Sequence, residues 1–401
     1  MQHLEWLARD RLARFETQLQ VIFRSEFLPN STKSALESVS KEVHRLRNIL
    51  DEVTSYEDPV FLIQHAILIN QKLYSLTNYL GILLRSTNLR NAFEAYFAFE
   101  EMSRKLIGED DLLILSSEWD STPFYIPNPP AALDAFVFIG MPAFASRNAL
   151  FLPLAAHELG HAIWRIRSID GPLTTTADAH LREEIDKDEV TFQKDFGLEQ
   201  NLFFSTEKER IVSDCLKLVA SQAQEVFCDL FGAALFGKSY LYAFDFFLSP
   251  GFGTREYDYP SLSERIRILK DMVPTEDKEL LNREAIDKST SPTKAPAIVN
   301  LADKITLRLL PGLKTQATAI ASSIDYQSEK SDSIAEVENN LRAGIPPRNP
   351  RSPIDILNAV WTVLLEKKQE NDSFEHRQTL VSLMTNLCLK SLEIYEYNRI
   401  K

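Results

Sequence analysis

The sequence predicts an α+β protein that is mostly α. Three observations carry that expectation. Apolar residues near the start recur in three- and four-residue steps, as on one face of a helix. Two apolar-faced helical segments, near residues 150–166 and 206–237, occupy the middle of the chain. One short run between them and the start, "AFVFIG" at residues 135–140, has strand composition.

A first helical zone is expected over residues 1–120. Leu36, Val39, Val43, Leu46, Leu50 and Val53 form a helix–helix seam. "NSTKSALE" before them supplies cap residues, and "EDPVFL" opens the next helix with Asp58 as N-cap and Pro59 at the first position. Val60 to Leu84 is apolar on most sides, which predicts the buried centre of a bundle. A second zone, 121–286, runs from the proline-rich "STPFYIPNPPAALD" through "AFVFIG" and the loop "MPAFASRN" to the two long helices. Between those helices, "SIDGPLTTTADAHLREEIDKDEV" reads as an exposed insertion with a short helix. After the linker "DKSTSPTKAP", residues 287–296, a third zone over 297–401 holds amphipathic helices broken by "AGIPPRNPRSP".

Composition narrows the class. A chain of 401 residues, 44% hydrophobic and 25% charged, can bury a core without staples. Its formal net charge of −13 argues against nucleic acid as a partner, because phosphate binding needs a basic footprint. Cys215, Cys228 and Cys388 are odd in number and widely spaced, so a reducing, cytoplasmic setting is expected. The opening "MQHLEWLARDRLARFE" has no apolar secretory core, and no uncharged apolar run approaches the ~18 residues of a spanning helix. No membrane partner is expected.

The chemistry is concentrated in "LFLPLAAHELGHAIWRI", residues 150–166. Residues four apart on an α-helix project nearly in register, so His157 and His161 can share one Zn²⁺ at ~2.0–2.1 Å. Glu158 lies about 100° round the helix from His157, a poor ligand position but within reach of a water beside the metal. Zinc lowers the pKa of such a water to ~7, and a carboxylate can take its proton and pass it to a leaving amine. A metal-free reading, two histidines satisfied by hydrogen bonds, would need several dedicated partners for a buried carboxylate and two rings. A third ligand must come from elsewhere. Glu225, in "SQAQEVFCDLFGAALFG", opens an apolar helical segment, and Asp229 lies one turn on, placed to orient a zinc histidine. The alternative for Glu225 is a solvated surface glutamate. His180, Glu183 and Glu184 of the polar insertion are the fallback ligands.

HELGH followed by a Glu-x-x-x-Asp helix resembles the gluzincin zinc metallopeptidases, in particular the HtpX/CAAX-protease-like and ImmA/IrrE-like branches. In "YDYPSLSERIRILKDM", residues 257–272, Pro260, Glu264, Arg265 and Ile266 match a segment of the HtpX-like branch, with Tyr259 where that pattern has histidine. The resemblance spans roughly residues 130–272, and it lacks both the membrane helices of one branch and the DNA-binding module that accompanies some members of the other. It implies a zincin-like core: a small, mainly antiparallel sheet beside the HELGH helix, with "AFVFIG" as the edge strand lining the cleft. It also makes Tyr259 the candidate oxyanion donor, with Arg265 and Tyr257 behind it; the bland reading of Tyr259 is a half-buried aromatic before a turn proline. The activity implied is hydrolysis of a protein or peptide substrate, with a regulatory protein partner acting through the helical flanks. The competing reading is a zincin core that binds zinc or a partner without cleaving, and the intact Glu158 favours the enzyme.

Overall fold

The structure is a computed structural model that describes residues 2–24, 29–56, 58–86, 92–108, 112–145, 147–199, 203–248, 257–272, 296–324, 334–370 and 374–401. The chain divides into two compact units, residues 1–149 and 150–401. This partition differs from the three zones read from composition. The three paired strands fall in the first unit, and the helix Ala297–Ala321 falls with the HELGH helix in the second.

The first unit holds α1 (Gln2–Phe23), α2 (Asn30–Thr54), α3 (Pro59–Arg85) and α4 (Phe93–Ile107), followed by β1 (Leu112–Glu118), β2 (Phe124–Ile126) and β3 (Phe136–Pro142). The seam residues of α2 are all buried, together with Leu12 and Leu19 of α1 and Ile69, Leu73 and Leu76 of α3. Each such leucine contributes about 1.5–3 kcal/mol on leaving water. Asp58 caps α3 as expected, its carboxylate accepting from the Val60 amide at 2.9 Å. The hydroxyls in the first turn of α2 do something else. Pro29 is its N-cap residue, while Ser31 bonds the Tyr96 hydroxyl at 2.5 Å and Thr32 bonds Ser86 at 2.8 Å. These polar side chains fasten α2 to neighbouring segments instead of closing its first turn. The expectation that α3 is buried on most sides is also corrected. It buries Leu62, Ala66, Ile69, Leu73 and Leu76 but exposes Val60, Ile63, Ile67 and Tyr74.

Two sheet expectations are corrected as well. The sheet is mixed, with β3 central in the order β1-β3-β2. β3 runs parallel to β1 over the register Leu112↔Phe136 to Glu118↔Pro142, and antiparallel to β2 only over Phe124↔Gly140 to Ile126↔Phe138. Phe136 to Gly140 of "AFVFIG" therefore belong to a buried middle strand paired on both sides, and the run is not the edge strand of the sheet. Its continuous apolar run fits a strand covered on both faces. The partner that sequence reading missed is "LLILSSE", residues 112–118, which lies at the end of the helical zone.

In the second unit a 3₁₀ segment, Ala149–Leu154, leads into α5 (Ala155–Ile166). The polar insertion forms α6 (Asp170–Lys187) and α7 (Glu189–Asp195). The long α8 (Phe204–Phe236) carries α5, α6 and α11 (Ala297–Ala321) on its sides. α9 (Lys238–Leu248) follows through Gly237, whose φ of +59° suits a residue without Cβ. α10 is Leu262–Lys270; α12 (Ile334–Arg342), α13 (Pro353–Glu370) and α14 (Phe374–Ile400) complete the unit. Among the described residues no helix is long and apolar enough to cross a membrane.

Candidate metal centre

α5 and α8 meet closely because of two small residues. A Cβ added at Gly160 would lie 3.0 Å from both the Cα and the Sγ of Cys228, so glycine lets the HELGH backbone settle onto α8. Trp164 of α5 packs against Phe227 of α8, with ring centroids 5.4 Å apart and planes tilted by 60°, in the same seam. This packing turns Glu225 and Asp229, one helical turn apart, toward the two histidines of α5.

The His157 and His161 rings lie 5.1 Å apart, inclined by 79°. Glu225 bridges them: its Oε2 is 3.0 Å from His157 Nε2 and its Oε1 is 3.6 Å from His161 Nε2. On its other side His157 Nδ1 meets Asp229 Oδ1 at 3.0 Å. Glu158 is buried, 7% exposed. The sequence-predicted set of His157, Glu158, His161, Glu225 and Asp229 is thus gathered in one place.

Asp229 is held from several directions. Arg265 of α10 donates to it through Nε at 2.7 Å and a terminal nitrogen at 2.9 Å, and the Tyr240 hydroxyl of α9 donates at 2.8 Å. The Arg265 guanidinium is itself sandwiched, 5.0 Å from the ring centroids of Phe244 and Tyr259. Tyr259 therefore joins the constellation through its ring, as a cover for Arg265. Arg265 spends two donors on Asp229, which makes it a holder of that carboxylate. Tyr257 lies on the exposed side, and its carbonyl accepts from Gln222 at 3.1 Å.

Ionisation follows this geometry. Burial pushes the Asp229 carboxyl up, but Arg265 and His157 outweigh it and hold it well below the usual carboxylate range. Burial alone would lower His157, yet its hydrogen bonds to Asp229 and Glu225 raise it to about 10. His161 goes the other way, lowered to about 4 by burial and by the charge on His157. Glu225 is lowered despite burial, chiefly by its bond to His157. Burial, and then the Asp229 charge, push the Tyr240 phenol well above its ordinary value, so it stays a donor.

The donor set fits a divalent cation. His157 Nε2 and the Glu225 carboxylate are in hydrogen-bond contact. The two Nε2 atoms lie 3.0 and 3.6 Å from the two oxygens of one carboxylate, so His157, His161 and Glu225 converge as residues that would hold one ion must. Asp229 ties up Nδ1 of His157, which leaves Nε2 as the nitrogen that could face an ion. Cys228 is a further candidate ligand, for its Sγ and one ring nitrogen of each histidine all lie within 4.8 Å of one another. The fallback residues have other duties: Glu183 pairs with Arg308 and Lys187, and Glu184 pairs with Lys304, so the insertion binds to α11.

Sequence reading missed Tyr240 and Phe244. Their segment, "KSYLYAFDFFL", carries no motif, and only the turn at Gly237 brings it back against Asp229. No protein-family model matches the chain, and neither a curated protein nor a solved structure is significantly similar to it.

Proposed function

We propose that the protein is a cytoplasmic zinc-dependent endopeptidase of gluzincin type, hydrolysing peptide bonds of a protein or peptide substrate. The observation that carries this reading is the convergence of His157, His161 and Glu225, with the buried Glu158 beside them. A bound zinc ion supplies Lewis acidity, polarising a carbonyl and making a water acidic. The chain supplies the rest. His157 Nε2, His161 and Glu225 hold the ion, and Asp229 fixes the ring of His157 with Arg265 behind it. Glu158 takes the proton of the attacking water and delivers it to the leaving amine nitrogen. Tyr259 is the proposed oxyanion donor once substrate is in place. The helical regions outside the core select or restrain the substrate, with a regulatory protein partner as the input.

Comparing wild type with Glu158→Gln in a cell extract tests the reading. Glutamine keeps the shape of the side chain but cannot accept the proton, and losing a general base costs ~10²–10⁴-fold in rate. New protein N-termini should appear with wild type and vanish with the variant at equal zinc content. Identical N-termini in both samples, with and without candidate activators, would favour a zinc-binding module that does not cleave.

A further inference from the structure

We propose that Tyr240 is a positioning residue of the metal centre, seated in a gap left by Gly232 so that its hydroxyl fixes the Asp229 oxygen that holds His157. The role in metal binding rests on the zinc reading above, whereas the hydrogen-bonded relay does not need the metal.

Three observations carry it. The Tyr240 side chain is wholly buried, yet its hydroxyl reaches Asp229 Oδ1 at 2.8 Å and lies 3.4 Å from His157 Nδ1. A Cβ built on Gly232 would lie only 2.3 Å from Cε2 of the Tyr240 ring, so any larger residue there would push the ring out. Gly232 lies in the middle of α8, where glycine costs about 1 kcal/mol relative to alanine, and this cavity supplies a reason for it. Finally, Oδ1 of Asp229 accepts from Tyr240, from Arg265 and from His157. An ionised carboxylate oxygen can only accept, so it keeps a proton on Nδ1 and leaves Nε2 as the nitrogen available to an ion.

α9 is built to hold this hydroxyl still. Asn358 of α13 accepts from the amide of Ser239 at 2.9 Å, capping the first turn of α9 next to Tyr240. Tyr242 and Phe246 pack on Trp361 of α13, with centroids 5.8 and 6.1 Å away. One turn beyond Tyr240, Phe244 covers Arg265. The C-terminal helices thereby gain a route to the metal centre: α13 sets α9, and α9 sets Asp229.

The test uses full-length protein with ¹⁵N-labelled histidine, studied metal-free and with zinc. In metal-free wild type, a slowly exchanging Nδ1 proton of His157 should show a nuclear Overhauser effect to the Tyr240 hydroxyl proton. Tyr240→Phe keeps the ring in its gap and removes only the hydroxyl. It should retain its circular dichroism, shift the His157 Nδ1 signal, speed its exchange, and weaken zinc binding about tenfold by chelator competition. A purely structural role would lower the melting temperature and leave the His157 signal and zinc affinity as in wild type; that result overturns the proposal. Should the variant fold poorly, the Overhauser effect in wild type decides alone, and its absence overturns the proposal too. A shifted His157 signal in a protein that binds no zinc would uphold the relay and sink the metal reading instead.

Discussion

Each unit of the protein contains an arginine clamped by both ends onto a carboxylate, and the two pairs serve different ends. In the N-terminal unit Arg85, at the end of α3, bonds both oxygens of Glu118 at the end of β1, at 2.9 Å each from Nε. In the second unit Arg265 clamps Asp229 at 2.7 and 2.9 Å. The first pair has Ser116 for company and fastens a helix to a strand. The second pair hands its carboxylate on to His157 and Tyr240, and aromatic rings shield its arginine. Burial separates them as well, since 29% of the Arg85 side chain is exposed against 13% for Arg265. A buried ion pair is therefore a weak pointer to function by itself. What the carboxylate touches next decides the matter.

Single truncations should separate the two pairs most sharply. Arg85→Met leaves Glu118 buried and uncompensated, which should cost about 2–3 kcal/mol, below the range for fully buried pairs because water reaches Arg85. Zinc content per folded molecule should not change. Asp229→Ala strands a deeper arginine and should cost about 3–5 kcal/mol in urea unfolding. In the fraction that folds, zinc affinity should also fall by about 10–100-fold. Equal zinc affinity in wild type and Asp229→Ala would reduce this pair to the rank of the first.

Replacing both partners sharpens the contrast. Arg85→Met with Glu118→Leu should be close to neutral in stability, as apolar replacement of buried pairs often is. Arg265→Met with Asp229→Leu should fold comparably but lose about tenfold or more in zinc affinity, because the His157 ring has lost its anchor. Dialysis against graded zinc, with melting curves on the same samples, reads both effects.

The ionisation of the site gives a further, smaller signature. His157, raised to about 10, carries a proton at neutral pH, while His161, lowered to about 4, does not. Zinc must displace the His157 proton, so uptake should release close to one proton per ion at pH 7. Affinity should rise with pH through neutrality and level off near pH 10. Calorimetry in buffers of different ionisation heat measures the release, and a value near zero would mean that His157 is not a ligand. The Arg85–Glu118 pair contributes nothing to this number.

The least effect is expected at the seam. Gly160→Ala pushes a methyl against Cys228 and should cost about 1–3 kcal/mol by overpacking. Adding Cys228→Ala removes the sulfur but leaves the α8 backbone in the way of that methyl, so thermal melts should show only partial recovery.

The sequence disclosed the centre better than the sheet. His157, Glu158 and His161 were legible because a helix fixes the relation of residues four apart. Glu225 and Asp229 were legible for the same reason, once their apolar neighbours marked a buried face. Tyr240 and Phe244 were not, since their place depends on the reversal at Gly237 and on the space left by Gly232, neither of which has a period. "AFVFIG" reads as a strand from composition, but its central place depends on pairing with residues 112–118, and pairing order is not a local property. Ser31 and Thr32 misled for a related reason: short hydroxyl side chains suit caps, and here tertiary partners claim them.

His157, His161 and Glu225 are proposed to hold zinc. Zinc X-ray absorption on the purified full-length protein tests it most directly. One zinc per chain is expected, with a shell of nitrogen and oxygen near ~2.0–2.1 Å, imidazole scattering, and loss of that shell in Glu225→Ala. A sulfur shell near ~2.3 Å that survives Glu225→Ala and disappears in Cys228→Ala would give the third position to Cys228 and contradict the account, as would a protein that retains no zinc.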